Sequence, residues 1–246
     1  MRNVILSVLF TFMFVLLSNG CKKNDATAPD PPATGNLIGS VELRNENGDP
    51  ASSYNAVTVS VEGTNLSSQT DSSGNYSITG IEQGVRIISF SKNGYGTYKS
   101  RINIDGTPYQ YINLELYKLP SFNVNQLSAK IITNGIELTG EPTNSVHYPR
   151  GVVVFAFTDS TVCSDPSKYL YANNSMIYPD SINFTTSATV YELLQKGFKS
   201  GQTIYFVAYA TISYNYYTNY FDWTYNKTVY TCISNTPSNK VSVKLP

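Results

Sequence analysis

The chain has 246 residues and balanced charge, with Lys+Arg 17 against Asp+Glu 17 and a single histidine. Zero net charge leaves no electrostatic footprint for nucleic acid, and one histidine among scattered acids gives little from which to assemble a metal or catalytic centre. Charged residues are only 14% while Tyr numbers 20; aromatic and β-branched side chains suit pleated, half-buried surfaces, and helical periodicity is nearly absent, so an all-β chain of one or two domains is expected.

Residues 1–20 read as a targeting segment rather than as fold. Arg2 supplies a positive start, and Val4–Leu17 is an apolar run of about 14 residues, short of the roughly 20 that a membrane-spanning helix needs. It runs into Leu17-Ser-Asn-Gly-Cys21. This arrangement resembles a bacterial lipoprotein signal, which implies cleavage after the small residue Gly20 and lipidation of Cys21; Ser18 stands where such signals usually have Leu. The alternative is an ordinary signal peptide that leaves Cys21 a free thiol. Several acyl chains on one cysteine, at about 0.8 kcal/mol per buried methylene, would hold the protein stably on a membrane. Lys22 follows the cysteine in place of the Asp associated with inner-membrane retention, so the resemblance implies an outer-membrane anchor. The single acid in Lys22-Lys-Asn-Asp25 leaves both the periplasmic and the outward face open for a Bacteroidetes-type lipoprotein. Residues 21–35, with Pro29, Pro31 and Pro32, read as a semi-rigid extended tether.

A first domain is expected over residues 36–118. Strand-like runs fall at 37–44, 56–62, 66–71, 75–81, 85–91, 97–104 and 109–117. Val57, Val59 and Val61 share one face, and Ile112, Leu114 and Leu116 repeat the period of two. Between the runs lie Asn47-Gly-Asp-Pro50, Ser72-Ser-Gly-Asn75, Gln83-Gly84, Asn93-Gly94 and Asp105-Gly-Thr-Pro108, where Gly or Asn accepts the positive φ of tight turns. Short strands at such regular spacing indicate a sandwich. Gly39-x-Val41, Gly48-Asp-Pro50, Val57 to Gly63, Thr70-Asp-x-x-Gly-x-Tyr-x-Ile78 and Gly94-Tyr95 resemble the carboxypeptidase regulatory-like domain, a transthyretin-like sandwich. That family implies a non-catalytic spacer, folding aid or protein-contact module. Asp71 belongs to a turn here, its acidic neighbours being too sparse for a calcium cage.

Leu119-Pro120 marks a boundary, since Pro halts a ladder, and a second domain is expected over residues 121–246. It carries Gly135-Ile-Glu-Leu-Thr-Gly140, Arg150-Gly-Val-Val-Val-Phe-Ala-Phe157, Thr189-Val-Tyr-Glu-Leu-Leu194, Gly201 to Thr211 and Lys240 to Leu245. The order resembles a fibronectin type III/immunoglobulin-like domain of bacterial lipoproteins, in which a Tyr usually follows the corner glycine; Ile204 stands there in this chain, with Tyr205 one place on. The fold expectation is two β-sandwiches in tandem.

Cys163 and Cys232 are the only cysteines after Cys21. In an exported protein two such thiols are expected to pair, and closing a loop of nearly seventy residues would contribute about 4 kcal/mol; the alternative is two separately buried thiols. His147 lies in a loop, no catalytic motif accompanies it, and neither an enzymatic activity nor a cofactor is expected; the remote alternative is a hydrolase with no recognisable motif, which would need His147 to meet Asp or Glu side chains in a pocket. The aromatic residues are the anomaly. Tyr214, Tyr216, Tyr217, Tyr220, Phe221, Trp223, Tyr225 and Tyr230 crowd one stretch, and Tyr205 and Tyr209 stand just upstream on a strand apolar on both faces. Val152 to Phe157 is likewise apolar on both faces, whereas a two-layer sandwich buries one face of each sheet. The second face must be covered by the aromatic loop folding back, by the neighbouring domain or by an external partner. Ring faces with flanking Asn and Asp also suit sugars, so Tyr205, Tyr209, Tyr214, Tyr216, Tyr217, Tyr220, Phe221, Trp223 and Tyr225 are candidate ligand contacts, the partner being a glycan or another envelope protein. Asp159-Ser160-Thr161 and Asp180-Ser181-Ile182 resemble Bacteroidetes O-glycosylation acceptors, which implicates Ser160 and Ser181.

Overall fold

A computed structural model describes residues 33–144, 149–179, 181–212 and 218–246. The first sandwich is built from β1 (Thr34–Arg44), β2 (Thr58–Val61), β3 (Ser67–Gln69), β4 (Asn75–Glu82), β5 (Gly84–Ser91), β6 (Tyr98–Ile104) and β7 (Gln110–Tyr117). One sheet has the order β4-β1-β7, with β7 parallel to β1, and the other β3-β2-β5-β6. The alternating residues of both sheets meet in one core, with Leu37, Val41, Val59, Val61, Ile88, Phe90, Leu114 and Leu116 all buried. β1 begins at Thr34, paired with Glu82, so the sheet takes up the last two residues of the stretch read as tether.

Two motifs of this sandwich have a plain physical cause. The Tyr76 ring lies across β1 and its hydroxyl donates to the Ile112 carbonyl at 2.9 Å. Gly39 lies beneath it, and a Cβ there would stand 1.9 Å from that same carbonyl oxygen. In the turn before β4, the Asp71 carboxylate accepts from the amides of Ser73 and Asn75, both at 2.9 Å, while Gly74 adopts φ +86°. The reading of Asp71 as a turn residue therefore stands.

The second sandwich follows with β8 (Val124–Ile132), β9 (Gly135–Pro142), β10 (Arg150–Phe157), β11 (Tyr171–Ile177), β12 (Phe184–Thr189), the short helix α1 (Val190–Gln195), β13 (Thr203–Thr211), the hairpin β14 (Asn219–Asp222) and β15 (Lys227–Tyr230), and β16 (Val241–Lys244). Its sheets have the orders β12-β9-β8 and β11-β10-β13-β16. Ile136, Leu138, Val152, Val154, Phe184, Ile204, Phe206 and Leu245 fill the space between them. The run Thr189 to Leu194 leads out of β12 into α1, opened by a capping box of Thr189 and Glu192 and anchored by buried Leu193. β8, β11 and β12 have no counterpart among the expected runs.

The doubly apolar strands β10 and β13 are explained by a second, smaller core. Val153, Phe155, Val207 and Tyr209 point away from the main core and are covered by Val162 and Tyr169 of the β10–β11 connection, with Tyr230 and Ile233 packed alongside. Three tyrosine rings, Tyr169, Tyr209 and Tyr230, surround Phe155 at centroid distances of 4.8, 5.6 and 5.7 Å. The cover is thus the chain folding back upon its own sheet, by the aromatic hairpin and by a connection that had not been assigned that work.

The expected Cys163–Cys232 disulfide requires correction: both cysteines are free thiols. Cys232 sits in a buried cluster with Tyr117 and Ile212 where the two sandwiches meet, and its thiol faces the carbonyls of Tyr117 and Lys118 at 3.6 and 3.4 Å. Burial, followed by the nearby Glu46 charge, pushes that thiol up to about 12. Cys163 is half-buried in the β10–β11 connection. The alternative of two separate thiols is what the fold adopts, because Cys232 is drawn into the junction between the sandwiches.

Residues 33–246 form one compact unit. Arg150, at the start of β10, is buried and donates to the Glu46 carbonyl at 3.1 Å and to Asn47 Oδ1 at 2.6 Å, in the loop after β1. The Glu46 carboxylate accepts from the Ser121 amide at 2.7 Å and hydroxyl at 2.6 Å. Gly96 lies so close to the Cys232 backbone that a Cβ would meet its Cα and amide nitrogen at 3.2 Å.

Candidate functional site

The β14–β15 hairpin carries the exposed rings. Asp222 faces Lys227 across the ladder, leaving the four-residue loop Trp223–Asn226. Asp222 Oδ1 accepts from the amides of Thr224 at 2.8 Å and Tyr225 at 3.2 Å, and Asn226 closes the loop at φ +52°. Asp and Asn are the residue types that make such turns, one by capping backbone amides and the other by tolerating the left-handed region. The loop tip presents Trp223 at 62% exposure and Tyr225 at 45%, with Phe221 at 43% on β14. Phe221 and Trp223 meet edge to face, centroids 4.9 Å apart.

Both sides of this hairpin are held. Towards the first sandwich, Tyr220 stands edge-on to Tyr98 at 6.5 Å, with the Lys99 ammonium 5.9 Å from the Tyr220 ring centre. The Arg101 guanidinium lies 5.1 Å from the Trp223 ring centre. Between them opens a cleft of about 80 Å³ lined by residues that include Glu62, Lys99, Arg101, Tyr220 and Trp223. Glu62 and Lys99 pair across it at 2.6 Å. Towards the second sandwich, the Tyr169 hydroxyl donates to the Thr228 carbonyl at 2.5 Å, and the Lys227 ammonium donates to the carbonyls of Pro166, at 2.8 Å, and Tyr169. Burial holds the Lys227 ammonium below its usual range.

The candidate ligand contacts therefore divide. Phe221, Trp223 and Tyr225 come together on one exposed tip. Tyr220 is half-buried as a seal against the first sandwich. Tyr209 is buried within the smaller core, its hydroxyl held above the usual phenol range by burial, and its assignment as a ligand contact is corrected, because its strand turns it under the β10–β11 connection; Tyr205 is half-buried beside that core. Tyr214, Tyr216 and Tyr217 lie outside the described residues, as do His147 and Cys21. Sequence reading passed over Arg101, Lys99 and Tyr98, which reach the rings only because β6 forms the edge of the other sandwich.

Ser160 is exposed, and the Asp159 beside it folds its carboxylate onto the Thr161 amide at 2.7 Å, with its ionised form favoured by the Thr161 hydroxyl and amide. Ser181 is half-buried, and the Asp180 that would complete its motif lies outside the described residues. Among the described residues, no three His, Cys, Asp or Glu side chains gather as a metal cluster would require.

The family model of the CarboxypepD_reg-like domain matches residues 45–126. That range starts just past β1 and ends inside β8, displaced towards the C-terminus from the 36–118 expected, and it takes in β2 to β7 of the first sandwich with the Asp71 turn. No curated protein matches the chain. Among solved structures, a Bacteroides uniformis protein provisionally described as carbohydrate binding aligns over 87% of this chain and 100% of its own, at 15% identity and a TM-score of 0.36. A DUF3823 family protein from Bacteroides uniformis aligns over the same shares, 87% and 100%, at 11% identity and a TM-score of 0.32. The major pilin SpaD from Corynebacterium diphtheriae aligns over 86% of this chain and 65% of its own, at 11% identity and a TM-score of 0.29.

Proposed function

We propose that this protein is a non-catalytic, lipid-anchored envelope protein of the outer membrane that binds glycans on the tip of the β14–β15 hairpin. The observation that carries the reading is the exposed Phe221–Trp223 pair at 4.9 Å, on a hairpin fastened on both flanks. Rings that are already ordered lose little freedom when a sugar stacks on them, and preorganisation is where affinity is gained. Thr224, Asn226 and the mixed charges of the adjoining cleft supply hydrogen-bonding groups beside an apolar face, the combination that sugars present in mirror image. A glycan array with the wild type against Trp223→Ala tests it. The expected result is binding to a defined glycan set, weakened about tenfold or more in the variant, since losing a stacked ring costs about 1–3 kcal/mol. Equal binding by both proteins, or none by either, would remove the hairpin from consideration.

Anchoring through Cys21 is part of the same proposal and rests on the signal-like residues 1–21. Cys21→Ser is expected to move the protein from the membrane fraction to the soluble one; unchanged fractionation would refute the anchor. A second reading has its own observation. Tyr109 and Tyr111, 55% and 67% exposed, lie at the start of the edge strand β7 of the first sandwich, a surface through which a structural accessory subunit would dock onto another envelope protein. Crosslinking that concentrates at Tyr109 and Tyr111 and ignores the hairpin would favour it.

A further inference from the structure

On the opposite flank of the hairpin from the first cleft lies a larger one of about 220 Å³, lined by Tyr169, Leu170, Ala172, Lys196, Phe221, Asn226, Lys227, Thr228 and Tyr230. Phe221 borders both clefts. Size separates their uses, because an apolar cavity of about 150 Å³ accommodates a benzene ring. The 80 Å³ cleft is too small for a six-membered ring and the 220 Å³ cleft is large enough for one bearing substituents.

The chemistry of the larger cleft is one-sided. Two lysines line it and no carboxylate does. Neither lysine belongs to an ion pair among the described residues. Lys227 is partly buried, donates to two backbone carbonyls, and rests 5.0 Å from the Tyr169 ring centre; of its three N–H donors one is left. The Asp165 carboxylate acts on it from a distance without pairing with it. Lys196, at the end of α1, contributes its amide to the helix while its side chain is exposed. A partly buried ammonium without a bonded counter-ion gains from an anion brought to it, since charge-assisted hydrogen bonds are about twice as strong as neutral ones. Asn226 and Thr228 add neutral polar groups at the same wall.

We infer that this cleft binds an acidic sugar, one ring of a glycan carrying a carboxylate or sulfate that Lys196 and Lys227 receive while Phe221 lies against the ring. The inference rests on the glycan reading and narrows it to the anionic class. The full chain in detergent is titrated by calorimetry with hexagalacturonate, with a sulfated galactan hexamer, with a neutral galactohexaose, and with inorganic sulfate alone. The expected result is that at least one acidic hexamer binds about tenfold tighter than the neutral one, the size of one charge-assisted contact. The two acidic arms identify which anionic group is received. Lys196→Ala, whose backbone role in α1 is untouched, should narrow that difference severalfold by weakening the acidic hexamer, with Lys227 left as the one receiving ammonium, and should melt at the wild-type temperature. Equal affinity for acidic and neutral hexamers, or an unaltered difference in Lys196→Ala, would overturn the inference and leave the stacking site standing. Sulfate alone competing as well as a hexamer would reduce the cleft to an ion site. Binding of no hexamer, in wild type and Trp223→Ala alike, would end both.

Discussion

Asp71, Asp105, Asp159 and Asp165 all do the same work: each folds its carboxylate onto the backbone amide two residues on, and Asp71 also onto the amide four residues on. Each is held below the usual carboxylate range, Asp71 chiefly by the Asn75 amide and Asp105 by the Thr107 amide, Asp159 by the Thr161 hydroxyl and Asp165 by the Ser167 hydroxyl. A carboxylate whose folded value lies below the unfolded one, about 3.9, contributes stability that is complete above that value and is lost as pH falls through the folded one. Thermal midpoints should therefore be flat near neutrality and fall below about pH 4. Asp71→Asn keeps an oxygen for the amides of Ser73 and Asn75 while removing the titration. It should melt close to wild type at pH 7 and lose less between pH 4 and pH 2; a parallel acid loss would show that Asp71 takes no part in it.

At the scale of elements, the hairpin is the piece whose shape rests on two residues. Asn226 at φ +52° is in a region that a β-branched side chain enters only at a cost of about 1–2 kcal/mol. Asn226→Val should loosen the tip, red-shift the fluorescence of Trp223, the only tryptophan, and weaken glycan binding without touching a ring. Asn226→Gly should keep the tip and the Trp223 emission close to wild type and weaken glycan binding less than Asn226→Val does, by the lost side-chain amide alone. A Val variant indistinguishable from wild type would mean that the flanking contacts of Tyr220 and Tyr169 alone set the tip. The hairpin was half legible beforehand: the doubly apolar runs of β10 and β13 announced a face needing cover, and the crowded rings were one of its three possible covers. That Tyr209 lies beneath while Trp223 stands outside is a matter of which side of β13 the β10–β11 connection crosses.

At the scale of the molecule, the junction joins two cores that share no layer. Arg150 reaches the loop after β1, Cys232 faces the end of β7, and Gly96 gives room for it. Gly96→Val would force a side chain against the Cys232 backbone, and overpacking of this kind costs about 1–3 kcal/mol. Because the strain falls at the seam, it should split one calorimetric transition into two and open the 118–123 connection to protease. A single transition lowered as a whole would instead mean that the sandwiches unfold as one cooperative body. The same seam sets the position of β6 beside the hairpin, and so of Arg101 beside Trp223.

The first sandwich was readable strand by strand, since alternation of period two and turns of Asp, Asn and Gly are local properties that each stretch carries within itself. The all-β character and the aromatic anomaly came from the sequence for the same reason. β8 and β11 were not readable: β11 is Tyr-Ala-Asn-Asn-Ser-Met-Ile, poor in strand-forming residues, and takes its shape from pairing with β10. Whether Cys232 met Cys163 or the neighbouring sandwich, and whether a given tyrosine became core, seal or surface, depended on which distant segments came to lie beside it. Those are contacts between residues tens of positions apart, which no local pattern encodes, and only the tertiary structure decided them.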